Sequence, residues 1–351
     1  SVSSMIRMYA KKKGIPAYTI LPTLACNARC VYCYEEGRPQ VTMTPETVKQ
    51  TIRYIRDTHE GQEVTLQWFG GEPLLCVDII DEICEGLKEA GVPYKSAMIS
   101  NGSLITDEVI ERMKGLWDLK RIQISMDGAE ADYIARKRYY KDHDYYHAVM
   151  HTISKLSEAG IAVSVRCNVD NKNWEGIPQY MEDMKRYITN KEHVSVYFSP
   201  LMDVRADQDD LTFWKNTIAA RDLIVNAGFR PLAYMGLRRK YRVNHCMADG
   251  GSVVIGPDGS LFPCEHCPAE SRFGDVFHGV TDEKAKTEFC RTDRVREKCK
   301  TCTFLPECTS FAACPWTDAH CKEAHEMNIL DSLKRLVENS LEIENPDEEA
   351  I

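Results

Sequence analysis

Short apolar runs alternate with longer amphipathic stretches from residue 18 to about residue 200. The short runs are rich in β-branched and aromatic residues, as is typical of buried strands, whereas the longer stretches repeat apolar positions at helical spacing. Six strands are predicted, near residues 18–24, 64–69, 95–100, 121–125, 162–168 and 194–199. Five helices are predicted between them, near residues 44–58, 77–90, 107–116, 146–159 and 176–187.

This alternation predicts an α/β fold with a parallel sheet, because parallel strands need a crossover that a helix usually supplies. Ligand sites in such sheets gather where the strands end. The predicted divisions are an N-terminal extension (1–17), the α/β domain (18–205), a bridge with a helix near 209–227 (206–240), a cysteine-rich α+β domain (241–325), and a C-terminal helix with an acidic tail (326–351).

Composition narrows the class of protein. The 351 residues suffice for two domains of about 150 residues each. A net charge of -9 argues against binding of nucleic acid through phosphate neutralisation, and no apolar run approaches the roughly 20 residues that span a bilayer. The N-terminus has no apolar signal segment and the chain has 15 cysteines, so we expect a cytoplasmic protein that binds metal.

Three cysteines follow the first predicted strand, in residues 26–34, which we call the cysteine loop. Cys26, Cys30 and Cys33 are spaced so that one tight loop can bring three sulfurs to one metal centre. A 4Fe-4S cube takes one Cys thiolate per iron, which leaves one iron without a protein ligand. Zinc with a fourth ligand is an alternative, although no histidine is close in sequence. A disulfide framework is disfavoured inside a cell.

The CxxxCxxC spacing resembles the signature of the radical S-adenosylmethionine (SAM) superfamily. The resemblance implies a partial six-stranded (β/α) barrel and a 4Fe-4S cluster whose open iron binds SAM. It implies that SAM is cleaved to a 5'-deoxyadenosyl radical, which abstracts a hydrogen atom from the substrate. An external electron donor of the flavodoxin or ferredoxin type is implied as well.

A glycine-rich motif, Gly70-Gly71-Glu72-Pro73, directly follows the second predicted strand. Its glycines let the backbone approach a ligand closely. The motif matches the GGEP of the superfamily, and the resemblance implies that its backbone and Glu72 hold the methionyl amino group of SAM. A simple turn is the alternative.

Short polar side chains end the third and fourth predicted strands. Ser100 and Asn101 end the third, and Ser125 and Asp127 end the fourth. Both segments resemble the family pattern, which implies that these four residues bind SAM. Turns that close a strand through Asn or Asp are the alternative.

The fifth predicted strand carries two further candidates. Arg166 and Asn168 match positions that in relatives often contact the carboxylate or adenosyl group of SAM. Arg166 would need a partner if buried, and could instead face solvent. Arg136 fits the family spacing only loosely, and Lys137 and Arg138 compete with it for the same role.

Cysteines return in the last third of the chain at a density that core packing does not explain. Their pattern resembles the SPASM domain of radical SAM enzymes that modify peptides and proteins, which carries two auxiliary 4Fe-4S clusters. Carried over residue by residue, one cluster would be held by Cys299, Cys302, Cys308 and Cys321, and the other by Cys246, Cys264 and Cys314.

The C-terminal cysteines depart from the family pattern in two ways. The interval between Cys308 and Cys314 is longer than usual, and the second set lacks a fourth ligand. Either Cys267 completes that set or one iron is open to a substrate thiol. A zinc ribbon of Cys264, Cys267, Cys299 and Cys302 is an alternative that leaves the other cysteines unexplained. Four cysteines are expected to be structural: Cys76, Cys84, Cys167 and Cys290.

Glu265 is a candidate catalytic base. In the related sulfatase-maturing enzymes an Asp follows the cysteine that corresponds to Cys264 and takes the substrate proton. A carboxylate near a cluster site of low dielectric would have a raised pKa, which suits a general base. A solvated turn is the alternative.

The function implied is that of a radical SAM/SPASM maturase, which abstracts a hydrogen from a peptide or protein and forms a thioether or carbon-carbon crosslink in a ribosomally made peptide. Formylglycine formation in a sulfatase is the alternative enzyme. An iron-sulfur electron carrier or scaffold is the non-enzyme alternative. Fewer than 20 residues precede the first predicted strand, whereas many relatives begin with a leader-recognition domain, so a separate recognition protein is a possible partner.

Overall fold

A parallel sheet of six strands forms the centre of the molecule, as the sequence predicts. The computed structural model describes residues 17–170, 172–201, 210–231, 251–266 and 269–289, with residues 301, 330, 331, 333, 334 and 337. The six strands pair in chain order, each parallel to the next. They are β1 (Ala17–Ile20), β2 (Val64–Trp68), β3 (Tyr94–Ser100), β4 (Leu119–Ser125), β5 (Ala162–Val169) and β6 (Val194–Pro200).

Helices connect successive strands. Those between β1 and β6 are α1 (Pro45–Thr58), α2 (Val77–Glu89), α3 (Asp107–Lys114), α4 (Glu130–Lys137), α5 (Tyr145–Glu158) and α6 (Ile177–Tyr187). Five of these were predicted, and the N-caps Thr44 and Thr106 accept hydrogen bonds from Thr47 N and Val109 N. Helix α4 was missed because its buried positions, Tyr133, Arg136 and Lys137, include two cations and therefore show no apolar stripe.

The sheet continues beyond the six predicted strands at both edges. At one edge β7 (Arg230–Pro231), which follows α7 (Asp210–Asn226), pairs with β6. At the other edge β8 (Ser252–Ile255) runs parallel to β1. Three short antiparallel strands extend that edge, β9 (Ser260–Phe262), β10 (Gly274–Asp275) and β11 (Gly279–Val280), before α8 (Glu283–Phe289). A segment from the last third of the chain therefore lies beside β1.

The core lies on the face of the six strands that the helices cover. Trp68, Ile122, Val165 and Val196 share this face by the register of the sheet and are fully buried, whereas alternating positions such as Gln67 are polar and half-buried. Of the cysteines expected to be structural, Cys84 and Cys167 lie in this core and are fully buried. None of the helices that the structure describes is long and apolar enough to cross a membrane.

Two sequence expectations need correction. Strand β1 ends at Ile20, not near residue 24, because the chain leaves the sheet after Leu21: Thr23 bridges to Thr42, and Leu24 N donates to Val41 O at 2.8 Å. Cys76 is only half-buried, because it ends the short 3-10 turn Pro73–Cys76 and is not in the core.

Candidate active site

The cysteine loop is held at its centre by the C-terminal end of helix α4. Arg29 N donates to the carbonyls of Lys137 and Arg138, at 3.1 and 3.0 Å, and Val31 N donates to Arg136 O at 2.9 Å. Ala28 also forms a β-bridge with Tyr139. These backbone bonds fix the loop while leaving Cys26, Cys30 and Cys33 partly exposed.

The three thiols lie in a partly desolvated site. Burial raises the pKa of Cys26 to about 12, and the carboxylate of Glu72 adds to this effect. Burial also raises the pKa of Cys30, against the opposing influence of the Lys137 ammonium. Both thiols are therefore neutral at pH 7 until a metal binds and displaces their protons.

The chemistry and spread of the thiols fit an iron-sulfur cube. Within the described ranges three cysteines stand together without a fourth ligand, which matches one thiolate on each of three irons. A single zinc ion holds its sulfurs about 2.3 Å from the metal and hence close together. In the part of the chain that the structure describes, the group with three ligand atoms all within 4.8 Å of one another is Glu130, Asp144 and His147, not the three cysteines.

The GGEP motif packs directly against the start of the cysteine loop. Gly71 N donates to Thr23 O at 3.1 Å, and Glu72 N donates to Ala25 O at 2.8 Å. A Cβ at position 71 would lie 2.2 Å from Ala25 O, and one at position 70 would lie 2.4 Å from Thr23 O. Only glycine allows this approach, so the motif is required to place Cys26.

The carboxylate of Glu72 is fully buried and accepts hydrogen bonds at both oxygens. Oε1 accepts from Ser100 Oγ at 2.8 Å and from Leu74 N at 3.2 Å, and Oε2 accepts from Asn101 N at 2.9 Å. Burial raises the pKa of Glu72, although these donors oppose the shift. Glu72 therefore joins the end of β2 to the end of β3, two of the predicted SAM-binding segments.

Asn101 extends the same group to the cysteine loop. Its amide nitrogen donates to Asn27 Oδ1 at 2.8 Å and lies 4.0 Å from Cys26 Sγ. Its side-chain oxygen accepts from Ser103 N and Ser103 Oγ, at 2.9 and 2.6 Å. The end of β3 thus contacts the first cysteine, as the sequence predicts for a shared site.

A second group forms around Asp127, which is fully buried. Tyr32 Oη, from the cysteine loop, donates to Asp127 Oδ2, and Lys137 Nζ lies 3.2 Å from the same oxygen. Burial disfavours the charge on Lys137, but the attractions of Asp127, Tyr32 and Cys30 together prevail and raise the pKa of Lys137. The sequence singled out neither Tyr32 nor a pairing of Lys137 with Asp127, because both depend on α4.

The remaining strand-end candidates join this second group. Asn168 Nδ2 donates to Asp127 Oδ1 at 2.9 Å, and Arg166 Nε donates to Asn168 Oδ1 at 2.9 Å. Ser125 Oγ accepts from Lys137 Nζ at 2.6 Å. The structure therefore brings every candidate from strands β2 to β5 to one edge of the sheet.

The three competing cations after β4 occupy different positions. Lys137 lies inside the Asp127 group, whereas Arg138 is exposed. Arg136 is buried, donates to Asp170 Oδ2 at 3.1 Å and lies 5.8 Å from the centre of the Tyr32 ring. Its Nε and Nη2 have no hydrogen-bond partner among the described residues.

The segment after β9 brings Glu265 and His266 to the cysteine loop. The His266 ring lies 4.2 Å from the Tyr34 ring, centre to centre, and Tyr34 stacks on Phe69 at the end of β2. Cys264 Sγ donates to Glu265 Oε2 at 3.6 Å. The candidate base is thus next to the predicted cluster site. The other C-terminal cysteines, Cys246, Cys267, Cys290, Cys299, Cys302, Cys308, Cys314 and Cys321, lie outside the described residues.

Comparison with known proteins agrees with this geometry. Residues 20–184, a little under half of the chain, match the radical SAM superfamily. This stretch is a radical SAM domain, and the chain is similar to enzymes that carry one. This similarity favours an enzyme over the electron carrier or scaffold considered from the sequence.

Three relatives align over most of the chain. The uncharacterized protein MJ0907 of Methanocaldococcus jannaschii is 25% identical over 75% of this chain and 89% of its own length. The antilisterial bacteriocin subtilosin biosynthesis protein AlbA of Bacillus subtilis is 27% identical over 73% of this chain, which spans 56% of AlbA. The serine-type anaerobic sulfatase-maturating enzyme of Klebsiella aerogenes is 23% identical over 87% of this chain and 81% of its own length.

Two solved structures share the fold. The enzyme anSMEcpe with bound AdoMet has a TM-score of 0.72 at 17% identity, over 92% of this chain and 98% of its own. Streptococcus suis SuiB bound to its precursor peptide SuiA has a TM-score of 0.60 at 14% identity, over 88% of this chain and 74% of its own. The chain thus has the fold of these two proteins.

Proposed function

We propose that this enzyme is a radical SAM/SPASM maturase that forms a thioether or carbon-carbon crosslink in a ribosomally made peptide. The observation that carries the proposal is the convergence of the cysteine loop, the GGEP motif and the polar ends of β3 to β5 on one sheet edge. When bound there, the cluster and SAM supply a 5'-deoxyadenosyl radical that abstracts a hydrogen atom. The protein itself binds, orients and shields the reactants.

We assign the cluster to Cys26, Cys30 and Cys33, and the SAM site to the sheet edge beside them. The backbone of Gly70 and Gly71 runs along the loop, where it can present polar groups to the methionyl end of SAM. Arg166 is half-buried on β5, with its Nε hydrogen-bonded to Asn168 Oδ1. We carry Pro73, Ser100, Asn101, Ser125 and Asn168 as the remaining SAM-site residues.

Crosslink formation removes one hydrogen atom, one proton and one electron from the substrate. The hydrogen atom ends in 5'-deoxyadenosine, and the electron needs an acceptor. We propose that two auxiliary 4Fe-4S clusters in the C-terminal domain accept this electron. Of their proposed cysteine ligands, Cys264 lies within the residues that the structure describes. An external donor of the flavodoxin or ferredoxin type would reduce the first cluster, and a separate protein could present the peptide leader.

Two relatives support a peptide substrate. AlbA is named for the biosynthesis of subtilosin, a bacteriocin. SuiB, which shares the fold, is described as bound to a precursor peptide. A peptide with cysteines is the substrate class that fits both a thioether product and an open iron near Cys264.

Formylglycine formation is the second candidate, and the position of Glu265 favours it. The carboxylate belongs to the segment whose His266 packs on Tyr34, which directly follows Cys33 in the chain. It could remove the proton from a substrate thiol or hydroxyl. The sulfatase-maturating relative gives this reading independent support.

The two candidates predict different products. The reconstituted, reduced enzyme is incubated with SAM and either a short cysteine-containing peptide encoded beside its gene or a sulfatase peptide with the target Cys or Ser. Either crosslink removes two hydrogens, and a thioether also makes one thiol resistant to alkylation, whereas formylglycine reacts with hydrazine reagents. Mass spectrometry separates the outcomes.

A conservative pair of variants tests the role of Glu265. For the sulfatase peptide, Glu265→Gln should abolish the aldehyde product while 5'-deoxyadenosine still forms, and Glu265→Asp should retain the product. Equal activity of the Gln and Asp variants would show that Glu265 is not the base in this reaction. If neither peptide changes while SAM is cleaved, both proposed substrates are wrong.

A further inference from the structure

Tyr32, Asp127 and Lys137 form a buried polar group, which we call the anchor network, that ties the cysteine loop to β4 and α4. We propose that the anchor network is a positioning device: it holds the loop between Cys30 and Cys33 in the shape that receives the cluster, and does not itself contact SAM. The inference rests on the proposed cluster site, and it changes the role expected for Asp127 from ligand contact to support.

The two charged members are among the most deeply buried ionisable groups described. Asp127 is 0% exposed and Lys137 is 1% exposed. Removing two charges from water is costly unless they are paired and their remaining hydrogen-bonding sites are filled. Such a pair is therefore expected only where its members have a specific task.

The ammonium faces three protein oxygens. Lys137 Nζ donates to Ser125 Oγ at 2.6 Å and to Tyr32 Oη at 3.0 Å, and it forms an ion pair with Asp127 Oδ2 at 3.2 Å. Lys137 thus acts on protein groups.

Both oxygens of Asp127 are occupied as well. Oδ1 accepts from Asn168 Nδ2 at 2.9 Å and from Asn168 N at 3.4 Å, while Oδ2 accepts from Tyr32 and faces Lys137. A ribose hydroxyl would have to displace one of these donors. The geometry therefore favours a structural contact over a ligand contact at this carboxylate.

Tyr32 is the member that connects the pair to the cluster site, since it lies between Cys30 and Cys33 in the chain. Its hydroxyl both donates to Asp127 and accepts from Lys137. The ring also lies within 6 Å of two cations, with Arg136 Cζ at 5.8 Å and Lys137 Nζ at 5.7 Å from its centre. Loss of the hydroxyl should therefore free this half of the loop and leave the ion pair in place.

The first test uses Tyr32→Phe, with Tyr146→Phe as the matched control. Tyr146 is also buried and its hydroxyl also donates to a carboxylate, Asp183 Oδ2 at 3.0 Å, but it lies on α5 away from the loop. Amide hydrogen exchange of residues 26–34 is measured in the full chain, with iron and again after iron removal. We expect about tenfold or more faster exchange in Tyr32→Phe, as for loss of a hydrogen bond to a charged group.

The control variant should leave exchange of residues 26–34 unchanged. Equal exchange in Tyr32→Phe and Tyr146→Phe would overturn the proposal, whether or not a cluster is bound. If the chain takes up no iron, the proposed function fails, but the iron-free comparison still decides whether the network holds the loop.

The second test uses the charge of the network. Asp127→Asn leaves the ammonium uncompensated near Cys30, and Lys137→Met leaves the carboxylate uncompensated. A nearby positive charge favours the reduced cluster, so the midpoint potential followed by electron paramagnetic resonance should rise in Asp127→Asn and fall in Lys137→Met. Shifts of the same sign, or no shifts, would contradict placement of the pair beside the cluster.

Discussion

Gly71 sets the distance between the GGEP motif and the cysteine loop. Its backbone nitrogen donates to Thr23 O, and an added Cβ would lie within 2.6 Å of three backbone atoms of residues 24 and 25. Backbone atoms cannot move aside to relieve such a clash, whereas the end of a flexible side chain can. This position therefore tolerates no side chain without displacement of Cys26.

We predict that Gly71→Ala lowers the free energy of unfolding by about 2 kcal/mol or more and reduces iron uptake at the cysteine loop. The control is Gly91→Ala, because Gly91 has φ +70 with no neighbour within 4 Å of an added Cβ. It should cost about 1 kcal/mol through backbone strain alone and leave iron content unchanged. Full iron content in Gly71→Ala would show that the close approach is not required.

Glu35 is a buried carboxyl group beside the cysteine loop. Only 8% of the residue is exposed, its Oε1 has no hydrogen-bond partner among the described residues, and burial raises its pKa from 4.5 to about 7. Between these pH values the folded chain holds a proton that the unfolded chain releases. By proton linkage, the stability contributed by this group is present below pH 4.5 and falls as the pH rises to about 7.

Glu35→Gln should remove this loss of stability with rising pH, because glutamine does not titrate. At pH 8 we expect the iron-free variant to be more stable than the parent by roughly 1 to 3 kcal/mol, the upper value being the full pKa difference converted to free energy. At pH 4 the two should be alike. Denaturant unfolding at both pH values checks this, and equal stability at pH 8 would show that the carboxyl group is solvated.

For individual residues, the sequence predicts which side chains belong to the site better than it predicts their contacts. The spacing of the three cysteines and the resemblance of the GGEP motif to that of the superfamily single out both segments, and the structure places them together. The contacts of Lys137 do not follow, because three successive cations are equivalent in the sequence. Only the orientation of α4 buries Lys137 against Asp127 and exposes Arg138.

Helix α4 is the element that carries the cysteine loop. It ends at Lys137, and Arg138 follows with φ 49, in the left-handed region that favours glycine. This conformation points the carbonyls of Lys137 and Arg138 at Arg29 N. The strain at Arg138 therefore has a structural purpose.

Arg138→Gly should raise the free energy of unfolding by about 1 kcal/mol, because glycine adopts this backbone conformation without strain. Ala135→Gly, at an exposed interior position of the same helix, should lower it by about 1 kcal/mol. Thermal unfolding of both variants and of the parent measures these two changes in the free energy of unfolding. Destabilisation by both would mean that the Arg138 side chain stabilises the fold by more than its backbone strain costs.

The order of the six central strands and five of the helices could be predicted, because apolar periodicity and caps are local signals. Helix α4 could not, since polar side chains occupy its buried face. Strands β7 to β11 have two to four residues each. Such short segments carry no periodicity, and only their pairing with β1 and β6 or with each other defines them.

The whole molecule joins its two predicted functional regions through one sheet. Strand β8 pairs with β1, and the segment after β9 places His266 against Tyr34 of the cysteine loop. A substrate bound between the loop and Glu265 would therefore contact both regions. The sequence predicts this only through resemblance, because more than 200 residues separate the two segments.

The central claim is that Cys26, Cys30 and Cys33 hold the cluster that acts on SAM. The most direct measurement is the 5'-deoxyadenosine formed from SAM by the reduced, reconstituted chain, compared with a variant in which all three cysteines are alanine. The parent should form it, and the variant should form none and hold about four fewer irons, one cube. Formation of 5'-deoxyadenosine by the triple variant, or an unchanged iron content, would contradict the account.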